Sequence, residues 1–242
     1  MKRFWVIISV FFACIFYVQA KNYVVCVGIA DYPGKDMDLR LSATDAITMK
    51  EIYDKNGNAD VLVYTNDNAR VNTITTALKE LFSKASSTDA IIFFFSGHGY
   101  PGGFICFDGV LKYDALTGIM SMSPANSKMV FADACYSGKA RKDGSKESHT
   151  KADNVLFFLS SRSNEQSIEM IRKDAWRNSL FTAYLERGLR GGADVNKDRI
   201  ITAKELFLFV SKGVAEQSLQ KQHPVMWGRF NDNMPVMSWE KK

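Results

Sequence analysis

The sequence predicts an α/β fold with a mostly parallel sheet of about six strands and helices on both faces. Three observations carry that prediction. Short β-branched and aromatic runs recur at residues 23–29, 60–64, 90–95, 127–132 and 155–159. They are apolar on both faces, as strands buried between two helical layers must be. Segments of helical periodicity lie between most of them, such as residues 72–84 with Ile74, Leu78 and Leu81 on one face. Two of the runs end abruptly in polar, glycine-bearing tips, Ser96-Gly97-His98-Gly99 and Asp133-Ala134-Cys135-Tyr136-Ser137-Gly138. The carboxyl ends of parallel strands are where open α/β sheets build their sites.

Taken in order, the chain opens with Lys2 and Arg3, an apolar stretch at residues 4–18, and small residues at Val18-Gln19-Ala20. This is the pattern of an export signal at residues 1–20, cleaved after Ala20, with one folded domain at residues 21–242. The apolar stretch, about 15 residues, is short for a membrane span. Cys14 leaves a lipoprotein as the weaker alternative. The first strand follows, then a loop at residues 31–38 and a helix at residues 43–56. The second strand, the helix at residues 72–84 and the strand leading to His98 come next. Residues 102–113 read as a hairpin around Asp108-Gly109. A helix at residues 114–122 leads to the Cys135 strand.

Residues 136–153 show no periodicity and read as a mobile loop carrying Lys139, Arg141, Lys142, Lys146 and Lys151. The fifth strand ends in Ser160-Ser161-Arg162. A helix at residues 179–189 is broken by Gly191-Gly192. An acidic loop at residues 194–205 precedes an amphipathic helix running to about residue 218. The aromatic tail at residues 223–239 is expected to supply a final edge strand.

Composition narrows the function classes. The net charge is +5, and two of those charges sit in the leader, so the mature chain is only mildly basic. No basic stripe with interleaved aromatics speaks for nucleic acid. Of four cysteines, Cys14 leaves with the leader, and the odd remainder guarantees a free thiol. Cys26 and Cys106 lie in strand patterns and read as core. Cys135 stands at a strand end among small and polar residues.

If the two tipped strands are parallel neighbours, His98 and Cys135 emerge side by side. A free thiol, with a pKa of roughly 8.5, is mostly protonated at neutral pH, and a nearby imidazole takes that proton. The same imidazole then protonates the leaving amine. The amide of Gly99 is unobstructed and suits an oxyanion. No third residue is evident to fix the imidazole, so the expectation is a dyad. Core packing is the plain alternative for either residue alone.

These two tips, in this order, resemble the caspase-like cysteine peptidases, in the branch of metacaspases and bacterial caspase homologues. The Asp two residues before Cys135 and the Ser-Gly after it are similar to that branch, although Tyr136 stands where metacaspases usually have His. The resemblance implies a three-layer sandwich and an endopeptidase working through a Cys135 thioester. It makes the Cys135 amide the second oxyanion donor, and implies cleavage within the loop at residues 136–153. It also brings Ser42, Asp45 and Ser96 to the primary substrate pocket beside Asp133. Two carboxylates in a partly dry pocket favour Arg or Lys before the scissile bond and reject Asp. For Asp45 the structural alternative is a charge complementing the helix dipole. Two rival functions remain open: a catalytically silent module that binds peptides or partners, and another acyl transfer at the same thiol.

The loop at residues 194–205 has EF-hand spacing. Asp194, Asn196, Asp198 and Glu205 stand at the side-chain positions, and the Ile200 carbonyl at the backbone position. Arg199 occupies the place of the turn glycine. Calcium is therefore an expectation for this loop and not for the chemistry, which needs no cofactor. The alternative is a structural loop in which Asp194 caps the next turn.

Overall fold

In the computed structural model, residues 20–134, 155–162, 165, 167–169 and 177–239 are described. The leader to residue 19 with Cys14, and Cys135 with the loop at residues 136–153, lie outside the described residues. The elements in chain order are β1 (Asn22–Gly28), α1 (Ser42–Asn56), β2 (Ala59–Thr65), α2 (Val71–Phe82), β3 (Ala90–Gly97), β4 (Gly99–Tyr100), β5 (Gly103–Cys106), β6 (Gly109–Lys112), α3 (Tyr113–Met122), β7 (Ser127–Ala134), β8 (Val155–Leu159), α4 (Leu180–Arg187), β9 (Ile200–Thr202), α5 (Ala203–Gln217), β10 (Val225–Gly228) and β11 (Pro235–Ser238).

Six of these strands form the central sheet in the order β10-β8-β7-β3-β1-β2. All neighbours are parallel except β10, which runs antiparallel to β8 at one edge. Side chains alternate across a strand, and the two faces are covered by different helices. Val25 and Val27 join the core of α2 and α3, through Ile74, Leu78, Leu116 and Met120. Val24 and Cys26 join the core of α1, α4 and α5, through Met49, Phe181, Leu206 and Val210. The expected three-layer sandwich is thus present. Phe93, Phe94 and Phe95 of β3 are fully buried and face alternate layers. Each contributes roughly 1.5–3 kcal/mol of burial, and together they anchor the strand that carries the site.

The expected boundaries hold within a few residues, and the departures have local causes. The hairpin turns at Phe107-Asp108, with Gly109 already paired to Cys106. The Phe107 amide donates to the Ala69 carbonyl and the Asp108 carboxylate accepts from the Val71 amide, so the turn is docked on the start of α2. Helix α4 ends at Arg187 and widens into a π turn, Gly188–Gly192, closed by Gly191 at φ 108°. Helix α5 begins at Ala203 because Thr202 and Glu205 form a reciprocal capping box. The tail supplies two strands where one was expected: β10 on the main sheet, and β11 paired with β9.

Candidate active site

Strands β3 and β7 are parallel neighbours, with Ser96 opposite Asp133 and Gly97 opposite Ala134. The expected side-by-side exit therefore holds up to Ala134. Cys135, the next residue in the chain, is outside the described residues.

His98 leaves β3 half-buried. Its Nε2 lies 2.7 Å from the Met37 carbonyl oxygen. A carbonyl can only accept, so Nε2 carries a proton and Nδ1 is the nitrogen that would act as the acceptor in a neutral ring. The third group missed in the sequence is thus a backbone oxygen, contributed by the turn Lys35–Met37. No side-chain pattern could have announced it. The buried Tyr32 adds a second restraint. Its hydroxyl accepts from the His98 amide at 2.9 Å and donates to the Ile105 carbonyl at 3.0 Å, and its ring lies 4.9 Å from the imidazole. Gly97 is needed here because a Cβ would meet the Tyr32 hydroxyl at 2.5 Å. Gly99 follows in β4, half-buried and opposite Phe104 of β5.

Tyr32→Phe is expected to strip the His98 amide and the Ile105 carbonyl of one partner while keeping the ring. Leaving such groups unmade costs about 1–3 kcal/mol. Urea unfolding should show a lower midpoint at unchanged slope; an unmoved midpoint would show that water replaces the hydroxyl without loss.

The two candidate pocket carboxylates are enclosed. Asp45, in the first turn of α1, is 0% exposed, and Asp133, at the end of β7, is 4% exposed. Asp45 accepts from Ser96 Oγ at 2.8 Å, Asn178 Nδ2 at 2.9 Å, the Ser179 amide at 3.0 Å and Ser179 Oγ at 2.7 Å. Asp133 accepts from the Thr182 amide at 3.1 Å, Thr182 Oγ1 at 2.8 Å and the Ser167 hydroxyl. Burial, then the like charge of Asp133, pushes Asp45 up to about 7 against the pull of its donors. Burial also raises Asp133, opposed by Ser167 and Thr182 and assisted by the charge of Glu169. Ser42 is buried (2%) in the same first turn, and its carbonyl would meet a Cβ on Gly28 at 2.1 Å. Ser42, Asp45, Ser96 and Asp133 are thereby gathered at the carboxyl ends of β1, β3 and β7. For Asp45 the helix-dipole alternative explains its place but not four converging donors.

Sequence reasoning missed most of those donors. Ser179 looks like an ordinary N-cap for α4, yet it makes no side-chain cap bond and turns its hydroxyl to Asp45. Ser167 and Glu169 lie in a stretch without periodicity. Glu169 accepts from the Arg40 and Leu41 amides at 3.0 Å, closing the start of α1 from a segment 128 residues away. The only available signal was polar density after a buried strand.

The two described thiols are enclosed in the core. Cys26 and Cys106 are buried, and burial pushes both up, Cys106 to about 12. The loop at residues 194–205 is closed by its own bonds. Asp194 Oδ2 accepts from the Arg199 amide, Asp198 Oδ1 from the Ile200 amide, and Asn196 Nδ2 donates to Asp198 Oδ2. Glu205 accepts from Thr202 Oγ1 at 2.8 Å within the capping box of α5. No group of three or more metal-binding side chains converges among the described residues. Asp194 Oδ1 is buried without a hydrogen-bond partner, but as folded this donor set does not fit a calcium cage. Arg199 itself takes the turn, at φ 69°.

Asp194→Ala is expected to lower stability by about 1 kcal/mol through the lost bond to Arg199. Melting with EDTA or with millimolar calcium should give the same difference. A calcium-dependent rise in the wild type that the variant loses would return the loop to calcium binding.

A family model for the caspase domain matches residues 21–234. The chain belongs to the caspase domain family. The caspase domain here is similar in fold to caspase-1 from Spodoptera frugiperda, with TM-score 0.67 and 15% identity over 93% of this chain and 92% of that one. It is also similar to a protein from Geobacter sulfurreducens, with TM-score 0.65 and 17% identity over 91% of this chain and all of that one. A comparison with curated proteins finds no match. Membership supports a cysteine-type peptidase acting on proteins or peptides, at the level of the family. No helix among the described residues is long and apolar enough to cross a membrane.

Proposed function

We propose that this caspase domain is an exported cysteine endopeptidase that cleaves after Arg or Lys, with His98 and Cys135 as its dyad. One observation carries the reading: an imidazole whose Nε2 is held by the Met37 carbonyl stands at the end of β3, next to a strand end that holds a buried carboxylate and precedes Cys135 in the sequence. In this mechanism His98 Nδ1 takes the Cys135 proton, and the thiolate attacks the scissile carbonyl. The Gly99 and Cys135 amides receive the oxyanion. The imidazolium, held by the Met37 carbonyl, protonates the leaving amine. Water then attacks the thioester with His98 again as base. The substrate cation meets Asp45 and Asp133, with Ser42 and Ser96 lining the pocket. Export rests on the leader pattern at residues 1–20, and the mature protein is expected to begin at Lys21.

The test is a panel of fluorogenic peptides varied at the residue before the scissile bond, with and without calcium. Arg and Lys peptides should be cleaved, Asp peptides should not, and calcium should leave the rates unchanged. Absence of thiol-dependent cleavage of every peptide would leave the silent binding module as the better reading.

A pH dependence follows from Asp45. Below about pH 7 its carboxyl holds a proton in the folded chain, and a neutral carboxyl attracts a guanidinium poorly. The ratio of kcat/KM for an Arg peptide over a neutral peptide should therefore rise with pH through neutrality. Dividing by the neutral peptide cancels the titration of the dyad. A ratio flat from pH 5.5 to 8.5 would remove Asp45 from recognition.

A further inference from the structure

The face between α1 and α4 holds a cavity of about 280 Å³ that the proposed chemistry does not use. Its charged wall consists of Glu51 and Lys55 on α1, Arg177 ahead of α4, Glu186 and Arg187 on α4, and Arg190 just beyond. Four cations thus surround the space against two carboxylates. Glu186 is already shared with Arg190, whose Nε donates to it at 2.9 Å. The Arg187 guanidinium is held 5.3 Å above the Tyr184 ring. The wall is built where α4 gives way to its π turn, the Ala193 amide reaching back five residues to the Gly188 carbonyl. Single π turns of this kind occur frequently at functional sites.

The polar floor of the cavity is Thr48 and Asn178. Asn178 is 3% exposed, and its Nδ2 donates both to Thr48 Oγ1 and to Asp45 Oδ1, each at 2.9 Å. The amide therefore stands between the cavity and Asp45. Arg177, Asn178 and Ser179 are consecutive: the first faces the cavity, and the next two supply three of the four donors to Asp45.

We propose that this cavity is an anion site for a small compound carrying two or more phosphoryl charges, and that filling it fixes residues 177–179 against Asp45. Guanidinium groups engage phosphoryl oxygens through paired hydrogen bonds, and Lys55 adds a point charge. The volume lies just below the range of drug-sized pockets, roughly 300–1,000 Å³, which favours a compact polyanion over a nucleotide with its base.

The experiment is calorimetric titration of the full chain with pyrophosphate at fixed ionic strength. Saturable binding is expected, weakened about tenfold in Arg177→Gln and in Arg190→Gln. Glu51→Gln, which removes a negative charge from the wall, should tighten binding and keeps the test decisive if an arginine variant fails to fold. Hydrogen exchange at the Ser179 amide should slow when pyrophosphate is bound. The anion site is overturned if no saturable binding is seen, if all variants bind equally, or if sodium chloride at the same ionic strength reproduces the effect. Unchanged exchange at Ser179 overturns the link to Asp45. None of these measurements depends on peptidase activity.

Discussion

Cys135→Ala and His98→Ala are each expected to reduce cleavage of an arginyl peptide by about 10³-fold or more, with no loss of the folded state. The reason lies in the division of roles. The thiol has no substitute, because the two described thiols, Cys26 and Cys106, are buried among core side chains and held protonated. The imidazole has none either, because the base must sit at the end of β3, where the Met37 carbonyl fixes its tautomer. Partners in one step act as a unit, so the double variant should be little slower than either single one. His98 is half-buried, and alanine keeps its amide bond to Tyr32 while giving up the bond to the Met37 carbonyl. The His98 variant should therefore stay folded and melt only slightly below the wild type. Near wild-type turnover in either variant would end the dyad assignment, and additive losses would show that the two residues serve separate steps.

Asp133→Asn should leave the fold intact and remove the preference for a basic residue. The substitution is nearly isosteric and its hydrogen bonds can be rearranged. The asparagine oxygen can take the place that faces the Thr182 amide and hydroxyl, and its amino group can donate to the Ser167 hydroxyl. What disappears is the charge. Removing one partner of a buried charge pair costs on the order of 2–5 kcal/mol, or roughly 30- to 4,000-fold in kcat/KM. That loss should fall on Arg and Lys peptides and spare neutral ones. Equal loss on all peptides would make Asp133 an orienting group for the strand end. Stability supplies an independent readout. Burial raises the Asp133 pKa, so in the carboxylate range the folded chain binds more protons than the unfolded chain. Wild-type stability relative to the variant must then fall as pH rises through that range. The variant should melt no lower than the wild type at pH 8.

The buried layers and the strand tips were legible because their signals are local. The three phenylalanines of β3 and the helical stripe of α2 each declare their setting within one turn or one strand. Asp133 was legible for the same reason, lying two residues from Cys135. The donors that hold Asp45 were not, since Asn178 and Ser179 come from 133 and 134 residues further along and carry ordinary capping chemistry. Met37 contributes only a main-chain oxygen, which no residue type encodes. At the loop of residues 194–205 the spacing suggests ligands, but spacing does not reveal the bond between Glu205 and Thr202.

The chain's order around the sheet has one more consequence. Residues 20–134 carry His98, Asp45 and Asp133, while residues 155–239 carry Ser167, Asn178, Ser179 and Thr182, which among the described residues supply every donor to Asp133 and three of the four to Asp45. The first segment alone keeps only the Ser96 hydroxyl for Asp45 and leaves the apolar edge of β7 uncovered. The second segment completes the sheet by laying β8 along β7. The two are therefore obligate complements, as the halves of a split reporter are. Expressed as separate polypeptides divided within residues 136–153, they should be insoluble singly and restore one domain when made together.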